Sequence, residues 1–178
     1  MTYLNCSAVV LSAAIFFATG FATHASAQMR GEIGIAVGEV PELPEIEDLD
    51  GNPVSLADFA GEKPVLFEFW AYWCENCEEL HPQMVAAYEK YGDRVEFVAV
   101  GVGVAQTPRR MRRHLANLTP AVKWNTLFDK RGHAVRAFLA PATAYIAIIN
   151  AHGEVVYTGI GPDQDIEAAV LKALGETH

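Results

Sequence analysis

The run Val65-Leu66-Phe67-Glu68-Phe69-Trp70-Ala71-Tyr72-Trp73-Cys74-Glu75-Asn76-Cys77 constrains this chain more than any other stretch. Its apolar first half predicts a buried strand. From Leu80 onward, Leu80, Met84, Ala87, Tyr88 and Tyr91 fall on one stripe, which predicts an amphipathic helix ended by Gly92. The two cysteines therefore sit at a strand-to-helix junction. Cys74 lies near the first exposed amides of that helix, whose partial positive charge stabilises a thiolate. A thiolate is the species that attacks disulfides. Cys77 then supplies a resolving thiol. Only a domain that brings a strand end and a helix start together can hold this arrangement.

The rest of the chain continues the alternation. Val95 to Val102 is valine-rich and predicts a second buried strand. Thr107-Pro108 starts a helix with Met111, Leu115 and Leu118 on its apolar side. A short strand is expected at 124–128, a short helix at 132–139 and an apolar strand at 144–149. The turn Asn150 to Gly153 leads into an antiparallel strand at 155–158, and Asp163 is expected to cap a last helix. Asp50-Gly51-Asn52 marks an earlier turn between short strands, with Ser55 as a local cap. This order predicts a mixed α/β domain with a central sheet, helices on both faces and one antiparallel end.

The chain has 178 residues and a net charge of −9. That is one domain's length, and the charge argues against nucleic acid as a partner. Residues 1–27 contain no Lys, Arg, Asp or Glu. An apolar stretch from Ala8 to Phe21, followed by Ala25-Ser26-Ala27, resembles a secretory signal peptide cleaved before Gln28. The basic n-region is missing, so an uncleaved membrane anchor is the other reading. Residues 28–45, with Val40-Pro41-Glu42-Leu43-Pro44, read as a linker, and 46–178 as the domain. Cys6 would leave with the signal. An exported chain whose mature part keeps only Cys74 and Cys77 uses them for exchange chemistry more plausibly than as a staple.

The motif Phe67 to Cys77, followed by Pro82, resembles the thioredoxin superfamily, and within it the TlpA/ResA-like exported thiol–disulfide oxidoreductases. Leu127-Phe128-Asp129-Lys130-Arg131-Gly132, Ala140-Pro141-Ala142-Thr143-Ala144-Tyr145-Ile146 and Gly159 extend the likeness over roughly residues 38–176. The resemblance implies a thioredoxin fold with an N-terminal extension and an insertion helix. It implies that Cys74 attacks, that Cys77 resolves, and that Pro141 is a cis-proline facing the disulfide. Glu68 falls where many such proteins carry a buried acid. No cofactor is implied beyond the redox-active disulfide. The implied partners are a disulfide-bearing protein, such as apocytochrome c or a copper-site protein, and a membrane thiol-transfer electron donor. A periplasmic monomer is expected. The chain departs from the pattern at Ala140, where Thr is common, and at Asn76, where Pro is frequent.

Each candidate residue has a plainer reading beside the chemical one. Glu68 shares a strand face with Leu66 and Trp70. Buried there, its carboxyl would take the proton of Cys77; at a sheet edge it would simply reach water. Glu75, between the cysteines, disfavours a neighbouring thiolate and tilts the site toward reduction, or it is only a solvent-facing helix start. Trp73, Glu75, Asn76 and Ala140 form the expected rim. Arg109, Arg110, Arg112 and Arg113 read first as a solvated helix face and second as a docking patch. A copper- or zinc-binding chaperone would use Cys74, Cys77 and His81, but a fourth ligand is not evident. A peroxiredoxin-like peroxidase is disfavoured by Ala71-Tyr72-Trp73 ahead of Cys74.

Overall fold

The computed structural model describes residues 33–176. The expected signal at 1–27 and the first residues of the linker lie outside that range. The elements are β1 (Glu45–Asp48), β2 (Pro53–Ser55), a 3₁₀ turn (Leu56–Phe59), β3 (Val65–Trp70), α1 (Glu75–Tyr91) and β4 (Glu96–Val102). They continue with α2 (Pro108–Leu115), β5 (Asn125–Asp129), α3 (His133–Ala137), β6 (Tyr145–Ile149), β7 (Val155–Ile160) and α4 (Ile166–Ala173).

The strands form one sheet in the order β2-β1-β5-β4-β3-β6-β7. The middle three, β5, β4 and β3, are parallel, and β6, β7 and β1 run antiparallel to their neighbours. The sheet is thus antiparallel at both edges, not at one. The extra edge is the β1–β2 hairpin. Its turn is held by the Asp48 carboxylate, which accepts from the amides of Asp50 and Asn52, both at 2.8 Å. The central strands are buried on both faces, which matches their near-continuous apolar sequences.

β3 sits between β4 and β6, so its two faces are covered by different helices. Val65, Phe67 and Phe69 point to the side where Phe138, at the end of α3, meets Phe67 and Phe69 at centroid distances of 4.8 and 5.5 Å. Leu66, Glu68 and Trp70 take the opposite face, toward α1 and α2. α1 is tied to α4 through Tyr91 Oη, which donates to Glu167 Oε1 at 2.7 Å. α2 can approach β4 closely because Gly101 has no side chain: a Cβ there would meet Met111 Cε at 2.2 Å.

The described part of the linker is bound to the domain. Ile35 is buried and its amide donates to Phe138 O at 3.1 Å, while Gly38 and Glu39 exchange backbone bonds with Val155, both at 2.8 Å. Two expectations shift. α4 is capped by Asp165, whose carboxylate accepts from Ala168 N at 2.9 Å, and not by Asp163. The preceding Gln164 is buried, and its amide donates to Ala144 O and Gly161 O, so the helix starts only after it. The first long helix begins at Glu75 rather than near Leu80, so both its first turn and Pro82 belong to it.

Candidate active site

Cys74 is the N-cap of α1. Its extended backbone (φ −91°, ψ 102°) ends the strand-to-helix crossing, and its Sγ accepts from Cys77 N at 3.1 Å. Cys74 and Cys77 form a disulfide with Cα atoms 5.3 Å apart. The sulfur of Cys74 thus occupies the position where a capping oxygen would sit and faces the first free amides of a 17-residue helix. A thiolate released there on reduction would meet the same amides. Glu75 and Asn76 are exposed beside it.

The junction is pinned from the loop between β4 and α2. Gln106 is buried, with its Oε1 accepting from Tyr72 N at 3.2 Å. Its amide nitrogen donates to the carbonyls of Trp70 and Val102. Trp73 is 45 % exposed, and its indole N–H donates to Val104 O at 3.1 Å. Residue patterns carry no local signal for Gln106, because its partners lie more than 30 positions away or across a loop.

Glu68 lies in the middle of β3, opposite Ala99 of β4 and Ile146 of β6. It is not an edge residue. It is buried, and among the described residues no group hydrogen-bonds its carboxylate. Desolvation raises its pKa from 4.5 to about 7. It shares a narrow cleft of ≈ 30 Å³ with Trp70, Cys77, His81, His114 and Trp124. Cys74 is not among the residues that line this cleft. The buried acid therefore shares its cleft with Cys77, the second cysteine of the pair.

Pro141 is exposed and lines a separate apolar hollow of ≈ 400 Å³ with Trp73, Val104, Val135, Ala140 and Thr143. Its expected cis bond is absent: the cis peptide among the described residues is Thr119–Pro120. The 139–144 loop turns instead through Leu139 and Ala144, at φ 47° and 56°. Pro141 and Ala140 remain beside Trp73 on the rim. His81 is buried with its Nε2 2.7 Å from Pro120 O, which engages the third donor of the metal reading. Among the described residues no group of three or more His, Cys, Asp or Glu is arranged to hold a metal ion. Arg112 pairs with Asp50, and Arg110 donates to Tyr72 Oη at 2.8 Å.

The chain is similar to known proteins. The Redoxin family matches residues 36–174. The thiol-disulfide oxidoreductase ResA of Geobacillus kaustophilus is 30% identical over 164 residues, covering 89% of this chain and 87% of that protein. The thioredoxin-like protein YneN of Bacillus subtilis is 34% identical over 103 residues, and the match spans 59% of its length. Among solved structures, a putative thiol:disulfide interchange protein DsbE from Chlorobium tepidum superposes with a TM-score of 0.64 at 26% identity, over 79% of this chain and 96% of that one.

Proposed function

The chain belongs to the Redoxin family and is a thioredoxin-like thiol–disulfide oxidoreductase of the ResA-like branch, and from that premise we propose that it is an exported reductase of partner-protein disulfides. The observation that carries the reading is the placement of the pair: Cys74 caps α1, while Cys77 shares a cleft with the buried Glu68.

In the reduced enzyme, the Cys74 thiolate attacks one sulfur of a partner disulfide. The partner's other sulfur leaves as a thiolate, and a mixed disulfide joins Cys74 to the partner. Cys77 then gives its thiol proton to the Glu68 carboxylate. A group that ionises near 7 holds such a proton and releases it again at neutral pH. The Cys77 thiolate attacks Cys74 Sγ, the intramolecular disulfide forms, and the second partner sulfur leaves as a thiolate that takes a proton from water. Two electrons pass from the dithiol to the partner. A membrane thiol-transfer protein returns them from outside the domain.

Apocytochrome c haem-attachment cysteines and copper-site cysteines are the partner classes the family likeness favours. The apolar hollow beside Trp73 offers a surface for the chain on either side of the target cysteine. Export rests on residues 1–27, outside the described range. Among the described residues no helix is long and apolar enough to cross a membrane. The test is a trap: Cys77→Ser expressed with its leader should accumulate covalently linked proteins, released by dithiothreitol, in the exported fraction. The absence of any such adduct, with Cys74 shown to be free and reduced, overturns the reading.

A further inference from the structure

Cys77 can give its proton to Glu68 only while that carboxyl is ionised, so a proton that Glu68 already holds has to leave before resolution, and Glu68 is buried with no hydrogen-bonding partner among the described residues. It lines the cleft of ≈ 30 Å³. A space of that size has room for about one or two waters. Resting on the oxidoreductase reading, we propose that His114 of α2 relays this proton between the Glu68 cleft and solvent.

His114 is placed at a boundary. It lines the inner cleft together with Glu68 and Cys77. It also lines a hollow on the outer surface with Tyr72, Arg110, Arg113 and Asn117. One imidazole is therefore shared by the buried carboxyl's chamber and the solvent side. The ring is held there by stacking on Trp70, at a centroid distance of 5.9 Å and an interplanar angle of 29°. Among the described residues none hydrogen-bonds it, so both ring nitrogens are free to exchange protons. Imidazole is the side chain whose protonation changes near neutrality without special help.

The other groups facing the cleft serve less well. His81, on α1, has its Nε2 committed to the Pro120 carbonyl. Glu78, also on α1, lines the cleft and is exposed. The Glu78→Gln variant below separates its contribution from that of His114. Cys77 is the proton's source. On its own helix, His114 has Arg110 and Arg113 beside it on the solvent side.

The step is a pure proton transfer and changes no oxidation state. Protonated Glu68 gives its proton to one ring nitrogen, directly or through water. The other ring nitrogen releases a proton to solvent, which leaves a neutral imidazole and an ionised Glu68. His114 is a positioning and relay residue, since it acts on Cys77 through Glu68.

The experiment mixes reduced protein with a model peptide disulfide in weak buffer at pH 7 and follows attack and resolution separately. It compares wild type, His114→Ala, Glu78→Gln and Glu68→Gln. His114→Ala is expected to slow resolution roughly tenfold, below the 10²–10⁴ range of direct general bases, with the attack phase as the internal reference. Added imidazole should restore His114→Ala and leave Glu68→Gln slow. Resolution in His114→Ala should also become steeply dependent on buffer concentration. Unchanged resolution in His114→Ala from pH 6 to 8 overturns the proposal. So does slowing that neither imidazole nor buffer relieves, which is the signature of lost packing on Trp70. A deficit found in Glu78→Gln instead of His114→Ala overturns it too. If His114→Ala does not fold, His114→Gln, which fills the same space and cannot relay, carries the same comparison. Wild-type protein that forms no mixed disulfide overturns the oxidoreductase reading itself, an outcome seen in the attack phase and therefore distinct from the others.

Discussion

The two faces of β3 are equally buried and differently built. On one, Phe67 and Phe69 close against Phe138 and Tyr145 with centroid distances of 4.8 to 5.6 Å, and no residue on that face is charged. On the other, Glu68 sits without a partner among the described residues. A cleft opens beside it, and the buried indole nitrogens of Trp70 and Trp124 have no partner among the described residues. A close-packed aromatic face stabilises through area and contact. A face with an orphan carboxyl and two orphan donors costs free energy. On the proposed mechanism, the same six-residue strand packs aromatic core with its odd positions and serves the chemistry with its even ones. The alternation of a strand makes that division possible without separate elements.

The largest expected effect lies on the aromatic face. Phe138→Ala removes a fully buried ring from between Phe67 and Phe69 and should cost about 3–5 kcal/mol of stability. Denaturant melts of the oxidised protein measure this. The folded variant should keep the wild-type resolution rate, because Phe138 touches neither the cleft nor the disulfide. A loss of resolution without a loss of stability would break the division between the faces.

Glu68→Gln tests the opposite face with a smaller change in stability and the reverse sign. The pKa of Glu68 is 4.5 when unfolded and about 7 when folded, raised by burial. A raised folded value means that the folded state prefers the protonated form. Its contribution is therefore fully present below pH 4.5 and is lost as pH rises through 7. Two and a half units correspond to roughly 3 kcal/mol at most. Glu68→Gln should match wild type near pH 4 and exceed it by about 2–3 kcal/mol at pH 8, while its resolution phase slows by up to about 10²-fold. Parallel stability curves for the two proteins from pH 4 to 8 would show that the carboxyl is solvated after all.

Much of this contrast was legible in the residues alone. The apolar run with one acid at an even position, and the cysteines just beyond it, required the junction and left Glu68 either buried or at an edge. Burial in the sheet centre came from topology: β3 lies between β4 and β6, and no local pattern states that order. Gln106, His114 and Trp124 were missed for the same reason. Each reaches the site through the docking of α2 or the start of β5, and that docking depends on the bare backbone of Gly101. The cap of α4 turned on a tertiary bond as well. Asp163 and Asp165 are equally good caps by type, and the buried Gln164 amide decides between them. At Pro141 the X–Pro bond allows either isomer, and the left-handed residues Leu139 and Ala144 shape the loop.

The smallest expected effect separates the cost of polarity from the need for it. Trp124 is buried at 8 % exposure and packs on His81, Tyr88 and Phe97 at centroid distances of 5.4 to 6.1 Å. Its Nε1 has no partner among the described residues. Trp124→Phe deletes that donor and returns its desolvation cost of about 1–3 kcal/mol. It also leaves a gap where the larger ring was, which costs a comparable amount. The two should cancel to within about 1 kcal/mol in denaturant melts. A Phe ring keeps the wall of the cleft apolar, so the resolution rate and its pH dependence should stay as in wild type. A loss of more than about 2 kcal/mol, beyond what the missing volume explains, would mean that the indole N–H is paired in solution. The face around Glu68 would then be a satisfied polar network, and its contrast with the aromatic face would rest on the carboxyl alone.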